Sequence, residues 1–387
     1  MRDNQKYFPV NWMDGMKISK NHFIQQDNAH MNAMQDIAAL QLSPIKYGVL
    51  PSSAAGENSF NVKISFDNQE SVRVAVLNCD AITNGGVRIT IPSPLMNADQ
   101  QGNDTLNSIL PFKAGNSEST WWVFLFVHPF EKQATGSPDL EENPPRFPHV
   151  LPTYSLQLIS DSQYRQYASH PYALAIGKLN VNGNDVSVEN DYIPACISCN
   201  AHPDLLSLHA ELDRYMANIE LNCSQIVQKI LRKSQQNDIS ELVMFLCDRV
   251  VLYLGQAITS LRIKIIYEPP ADLFACISAL ARIMKNTIDL RIGSGKDELM
   301  NYLSEWCELK QGELETMLSQ VANMSINQND INASIHKVVG FVKVTSRLFD
   351  TLSKLEFIGK RKESGIFVKE ESPAQADALK GKRRFFG

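Results

Sequence analysis

The residues best equipped for chemistry in this chain are two cysteines, Cys196 and Cys199, separated by Ile197-Ser198. That spacing is half of a zinc site, or a redox pair. Zinc needs further ligands at suitable spacing, and no second pair follows; His202 and His209 lie at the entry to a helix-patterned segment. A redox pair sits at a helix N-terminus, whereas these thiols close a strand-patterned segment, so both are expected to be structural. His22 and His30 are eight positions apart, too far for a zinc-binding helical pair. His22, followed by Phe23, reads as a packed or hydrogen-bonded structural histidine, and His128, His149 and His170 read as turn residues near prolines. No serine lies in a Gly-x-Ser-x-Gly elbow. Gly293-Ser294-Gly295-Lys296 lacks the longer loop and preceding strand of a phosphate loop and reads as a helix break. The acidic pairs Glu141-Glu142 and Glu370-Glu371 fall in polar, proline-containing surroundings, a poor place to raise a carboxylate pKa for acid catalysis. The expectation is a protein with no catalytic residue, no cofactor and no metal site.

Bulk properties agree with a folded rather than a disordered chain. The chain has 387 residues, 44% apolar and 20% charged, enough for two domains with ample core. A net charge of -5 gives no basic stripe for nucleic acid. Seven scattered cysteines, an odd number, favour a reducing compartment. Met1–Val10 has no signal-peptide core, and the apolar stretch Val250–Ile266 carries Arg262 and Lys264. A cytoplasmic protein with no membrane span is expected.

The elements that position these residues change character near residue 200. Phe60–Phe66 alternates apolar and polar side chains, as a half-buried strand does, and Ser71–Leu77 and Val87–Ile91 repeat the habit. Trp121–His128 is a continuous apolar run, suited to a strand covered on both faces. Thr153–Ile159, Tyr172–Asn180 and Asp185–Tyr192 complete an antiparallel set, the last two joined by an Asn182-Gly183 turn. One early helix is expected from about Asn21 to Leu42, and a proline-rich surface loop over 132–152. Beyond His202-Pro203 the spacing becomes helical. A second helix begins with Asp238 as cap and Glu241 as box partner, a third opens at Pro270, a fourth spans Lys296–Val321 and a fifth Asp330–Phe357, capped by Asp330. The fold class is thus α+β: an antiparallel β-sandwich with one early helix over residues 1–200, a helical bundle over 201–357, and a tail over 358–387. The tail from Lys360 holds eight basic and four acidic residues and reads as solvated; Lys382, Arg383, Arg384, Phe385 and Phe386 are its candidate docking residues.

The opening stretch is the most particular. Val10, Trp12, Gly15, Met16, His22, Phe23, Gln25, Gln26 and Asp27 fall in an order too specific for a generic helix entry. This order closely resembles the N-terminal signature of the TssK family, baseplate subunits of the bacterial type VI secretion system, a contractile injection machine. Weaker points of resemblance follow in the same order: Ile176-Gly177-Lys178-Leu179, Asn182-Gly183, Tyr192-Ile193-Pro194-Ala195-Cys196, then Pro270-Ala271-Asp272-Leu273-Phe274 and Leu280-Ala281.

The resemblance implies a homotrimer. Its β domain would be similar to a phage receptor-binding-protein shoulder and attach to the other baseplate wedge subunits. Its helices would form a stalk, and a C-terminal head would contact an envelope complex. Only Ile358–Gly387 follows the helices here, too short for such a head, since chains below about 40 residues rarely fold unaided. The expectation is a divergent member that lacks the head, with an unidentified envelope contact and the basic tail in its place. Trp12, Met16 and Phe23 are the candidate anchors, because aromatics and Met dominate interfaces. They serve equally well as pins holding the early helix to its own sandwich. Leu242, Phe245 and Trp306 fit either a bundle core or a trimer seam. The alternatives are a receptor- or carbohydrate-binding phage-tail-like protein and, with least support, a hydrolase with an unrecognised site.

Overall fold

The computed structural model describes residues 6–52, 58–67, 71–92, 106–112, 120–182 and 185–359. They form two compact units. The first comprises residues up to His202 together with Asn327–Ile331; the second comprises Pro203–Ile326 and the chain from Asn332. The fold is α+β, with antiparallel sheets in the first half and helices in the second.

In the first unit, β1 (Gly48–Val49), β2 (Phe60–Asp67), β3 (Ser71–Ile82), β4 (Arg88–Ile91) and β5 (Leu106–Pro111) make one sheet around β3. Every pairing in it is antiparallel. A second antiparallel sheet has the order β7-β6-β8-β9, from β6 (Thr120–Thr135), β7 (His149–Ser160), β8 (Ala173–Asn182) and β9 (Asp185–Val188). Side chains on a strand alternate between faces, and β6 shows what that does. Val123, Leu125 and Val127 point into the core shared with Val72, Val74, Val76 and Ile89 of the first sheet. Trp122, Phe124 and Phe126 point the other way, into a second cluster with Tyr192 and the tyrosines of α2 (Asp161–Tyr167). The strand is covered on both faces, as its unbroken apolar run requires.

Residues Asn327–Ile331 also belong to this unit, joined to it by side-chain hydrogen bonds. Tyr47 Oη donates to Asn329 Oδ1 at 2.9 Å, Tyr192 Oη to the Asn329 carbonyl at 2.7 Å, and Gln328 Nε2 to the Cys196 carbonyl at 2.8 Å. Lys178 Nζ lies 3.1 Å from Asp330 and 3.6 Å from Glu189.

The second unit holds α3 (Pro203–Arg232), α4 (Asp238–Ile263), α5 (Pro270–Asp289), α6 (Lys296–Cys307), α7 (Gln311–Ala322) and all but the first residue of α8 (Ile331–Lys354). α4 packs against α3 and α5. It is the one described helix long and apolar enough to cross a membrane, but Val243, Leu246, Cys247, Val250, Leu254 and Leu261 are spent on the interior of the unit. The end of α8 is fastened by backbone carbonyls: Lys229 Nζ reaches those of Ser353 and Leu355, and Asn237 Nδ2 that of Ile358.

Several sequence expectations are corrected. The fourth helix is two, α6 and α7, because Glu308 adopts a left-handed backbone (φ 59°) and closes α6. The apolar spacing continues across that break and conceals it. α4 is capped by Asn237, whose side chain accepts from Ser240 N at 2.8 Å, one residue before the expected Asp238. Asp330 precedes α8, but one of its oxygens faces Lys178 and the other has no partner, so it is not a cap. The proline-rich connection is shorter than expected: β6 runs to Thr135 and β7 starts at His149, with Lys132 opposite Pro152. His128 and His149 accordingly belong to strands; His128 Nε2 is 2.8 Å from Ser155 Oγ. The Asn182-Gly183 turn and the tail residues Lys382, Arg383, Arg384, Phe385 and Phe386 fall wholly or partly outside the described residues.

Candidate interaction surface

Four signature residues, Val10, Trp12, Gly15 and Met16, sit on an arm, residues 6–18, laid against α1 (Lys20–Ala39), which carries the other five, His22, Phe23, Gln25, Gln26 and Asp27. Each conspicuous residue type has a local reason. Met16 N donates to the Met13 carbonyl at 3.2 Å, closing a tight turn over Asp14-Gly15. Gly15 holds φ +81°, which the third position of a type II turn demands of glycine. Ser19 precedes the helix, and its backbone N–H donates to His22 Nδ1 at 3.2 Å. His22 thereby does the work a Glu does in a capping box, satisfying a donor outside the first turn. Gln26 is the tie between arm and helix. Its Oε1 accepts from Val10 N at 3.0 Å, and its Nε2 donates to His30 Nε2 at 2.8 Å. Asn32 Oδ1 accepts from Tyr7 N at 3.4 Å. The Tyr7 ring packs on Phe130, centroids 4.7 Å apart, and Asp27 pairs with Lys132 at 3.7 Å, so both arm and helix reach β6. Burial pushes the phenol of Tyr172, next to Phe130, above its ordinary range, with Tyr7 adding to the effect.

The geometry separates two groups among the signature residues. Gly15, His22 and Gln26, joined by the Val10 backbone, shape the arm. Trp12 and Phe23 lie together, ring centroids 5.9 Å apart, with the His22 ring 6.1 Å from Trp12. Yet Trp12 is 46% exposed and Phe23 56%. Met16 is half-buried and Gln25 exposed. Phe8, Met13, Ile18, Ile24, Met34, Ile37 and Leu40 add further exposed apolar side chains on the arm and α1, and within the helix only Asn28 and Ala29 are buried. Large apolar side chains gathered at the surface of one segment mark a site of contact with another surface.

Sequence reasoning missed Phe8, Met13 and Ile18. Their signal was available: apolar side chains in a segment with no helical or strand period have no core face to enter. Elsewhere, Cys196 and Cys199 are buried free thiols, and burial pushes the Cys196 thiol well up. Leu242 is buried within its own unit. Phe245 is half-buried beneath two guanidinium groups, Arg291 at 4.5 Å and Arg249 at 5.1 Å, and Trp306 meets Tyr302 edge-on.

These features define a class: a two-unit α+β chain presenting an apolar arm-and-helix surface suited to protein contact. No protein-family model and no curated protein matches the sequence significantly. Among solved structures, the chain is similar to a crystal structure of TssK at 15% identity and TM-score 0.45, over 90% of this chain and 70% of that one. It is similar to TssK from the type VI secretion system of EAEC, in complex with a nanobody, at 12% identity and TM-score 0.40, over 85% and 99% of the two chains. A chain of the TssK-TssF-TssG baseplate subcomplex is similar at 15% identity and TM-score 0.40, over 83% and 100%.

Proposed function

We propose that this chain is a structural, non-catalytic adaptor of a type VI secretion baseplate, a divergent TssK-like subunit. In this reading it joins the baseplate wedge to an envelope-anchored complex. The observation that carries the reading is the state of the opening signature. Its polar members fold the arm onto α1, while Trp12 and Phe23 remain exposed in a run of apolar side chains. The proposed contact is this surface against another wedge subunit. Burying an aromatic side chain from water contributes roughly 1.5–3 kcal/mol. A homotrimer would present three copies and multiply a weak contact through effective concentration. The chain would work in the cytoplasm, docked at the inner face of the envelope, with no nucleic acid, no cofactor and no metal.

The test is a tagged pull-down from the native host, with cross-linking and mass spectrometry of the captured proteins. Sheath and baseplate proteins cross-linked through residues 1–200 are expected. Trp12→Ala and Phe23→Ala should each weaken that capture by at least about 30-fold, the equivalent of a ~2 kcal/mol interface hot spot. Both variants should fold normally, because neither side chain is buried in the chain itself. Capture that is unchanged in both variants removes the arm from the contact. Recovery of glycan-bearing material in place of baseplate proteins would replace the reading with that of a receptor-binding tail protein.

A further inference from the structure

The outer face of the β7-β6-β8-β9 sheet is built like a binding site. Its floor is aromatic: Trp122 stacks on Tyr164 with centroids 4.6 Å apart, Tyr192 meets Trp122 edge-on at 6.3 Å, and Lys178 lies over the Trp122 ring at 5.1 Å. Its rim is polar and points inward. Tyr47 and Tyr192 give their hydroxyls to Asn329, while the Tyr164 hydroxyl and the Asn327 amide lie 2.9–3.0 Å apart. The Ala168 carbonyl accepts from Asn329 Nδ2 at 3.2 Å, and the Cys196 carbonyl accepts from Gln328 Nε2. Lys178 sits between Glu189 and Asp330. Burial holds the Tyr47 and Tyr192 phenols well above their ordinary range and raises that of Tyr164, so all three remain O–H donors.

The occupant differs from a piece of ordinary core. Gln328 and Asn329 are only 4% and 3% exposed, yet they are held by hydrogen bonds, and the segment's single apolar side chain is the buried Ile331 at its end. Neither apolar cluster of the sandwich contains a residue of the Asn327–Ile331 segment. Contacts of this kind give up little net free energy when exchanged for water, because each hydrogen bond to protein is replaced by one to solvent. Polar, hydrogen-bonded seams fix register and identity more than they add stability.

We propose that this face is a peptide-recognition groove for a short polar segment of the type Asn-Gln-Asn-Asp. The chain fills it in cis with Asn327–Ile331, and the segment leaves and re-enters as a unit while the sandwich stays folded. Recognition is divided in three. Asn329 is read by Tyr47, Tyr192 and the Ala168 carbonyl; the aspartate is read by Lys178; the leading asparagine is read by Tyr164. The floor and rim all come from the sandwich and its short helix, so the groove persists when vacated.

The test uses the full chain and two variants. Asn329→Ala removes the central reader contacts. Lys178→Met keeps the stem and leaves Glu189 and Asp330 without their shared cation. In either variant, amide hydrogen exchange over 323–331 should accelerate roughly tenfold to hundredfold, with β6 and β8 exchanging as in the parent. A labelled, end-blocked Ile326–Asn332 peptide should then bind the variants' emptied groove and be excluded from the parent; for Lys178→Met, binding should be weaker than for Asn329→Ala. Unchanged exchange over 323–331 overturns the proposal. So does acceleration of β6 and β8 together with the segment, which would make it an integral part of the fold, and so does failure of the peptide to bind Asn329→Ala. If Asn329→Ala does not fold, Lys178→Met carries the same comparison.

Discussion

Replacing Gly48 by Ala tests how tightly the first unit is closed around β1. Gly48 holds φ +113°, and an added Cβ would lie 1.9 Å from the Ala195 carbonyl oxygen and 2.8 Å from Cys196 N. Both neighbours are backbone, so no rotamer change relieves the clash. To restore an ordinary contact of ~3.5 Å, the two strands must part by about 1.5 Å. That breaks Val49 N to the Ala195 carbonyl (2.7 Å) and Ile197 N to the Val49 carbonyl (3.0 Å). At about 0.5–1.5 kcal/mol each, these bonds account for about 1–3 kcal/mol, and the left-handed backbone adds about 1–2. The expected loss is about 2–5 kcal/mol, a large part of a typical domain stability of ~5–15 kcal/mol. Gly15→Ala is the matched control. It has φ +81° but nothing within 4 Å of the added Cβ, so only the backbone cost of about 1–2 kcal/mol remains. The assay is urea unfolding followed by tryptophan fluorescence in a Trp306→Phe background, where the remaining reporters Trp12, Trp121 and Trp122 all lie in the first unit. If the two alanine variants agree within ~0.5 kcal/mol, the close approach at Ala195 is not a constraint and the reasoning fails.

Two further outcomes follow from buried groups. Burial, with His128 adding to it, lowers the pKa of His170 below its ordinary value, and its Nδ1 accepts from Tyr172 N at 3.2 Å. The unfolded chain therefore takes up this proton first as pH falls through about 6.5, so the contribution is complete above that pH and lost below it. His170→Asn should flatten the acid limb of a stability-versus-pH curve relative to the parent; parallel curves would refute it. The second concerns thiols. Six of the seven free cysteines are buried, and burial raises the Cys79 and Cys307 thiols to about 12. Half-buried Cys276, which faces the Tyr253 hydroxyl, is also raised. A disulfide reagent at pH 8 should meet no fast thiol in the native chain and seven after denaturation; a rapid native burst would contradict the packing.

What the sequence made legible were features decided by local pattern. Trp121–His128 announced a strand with two covered faces because no polar residue interrupts it, and Pro270 announced a helix start because proline fits the first turn. The α6–α7 break was hidden because Leu299, Leu303, Leu314 and Leu318 keep helical spacing across it, while the backbone turns at Glu308, a residue with no turn preference. Asn327–Asp330 looked like a loop and a helix cap. Its partners, Tyr47, Tyr164, Lys178 and Tyr192, lie more than a hundred residues away in the chain, and nothing local names them. At the candidate surface, the residue types were readable as a signature. Their division into arm-shaping and exposed members depended on side-chain bonds such as Gln26 to Val10, which spacing alone does not specify.

The return of Asn327–Ile331 to the first unit also orders events during synthesis. Every described strand of the sandwich has been made by Val188, but the segment that fills the groove emerges only after most of the second unit. At ~5–20 residues per second, the roughly 120 residues between His202 and Asn327 take about 6–25 s to translate. On the proposed reading, the aromatic floor at Trp122, Tyr164 and Tyr192 waits through that interval without its occupant. The late segment is the chain's own closing signal, delivered after the bulk of its helices exist.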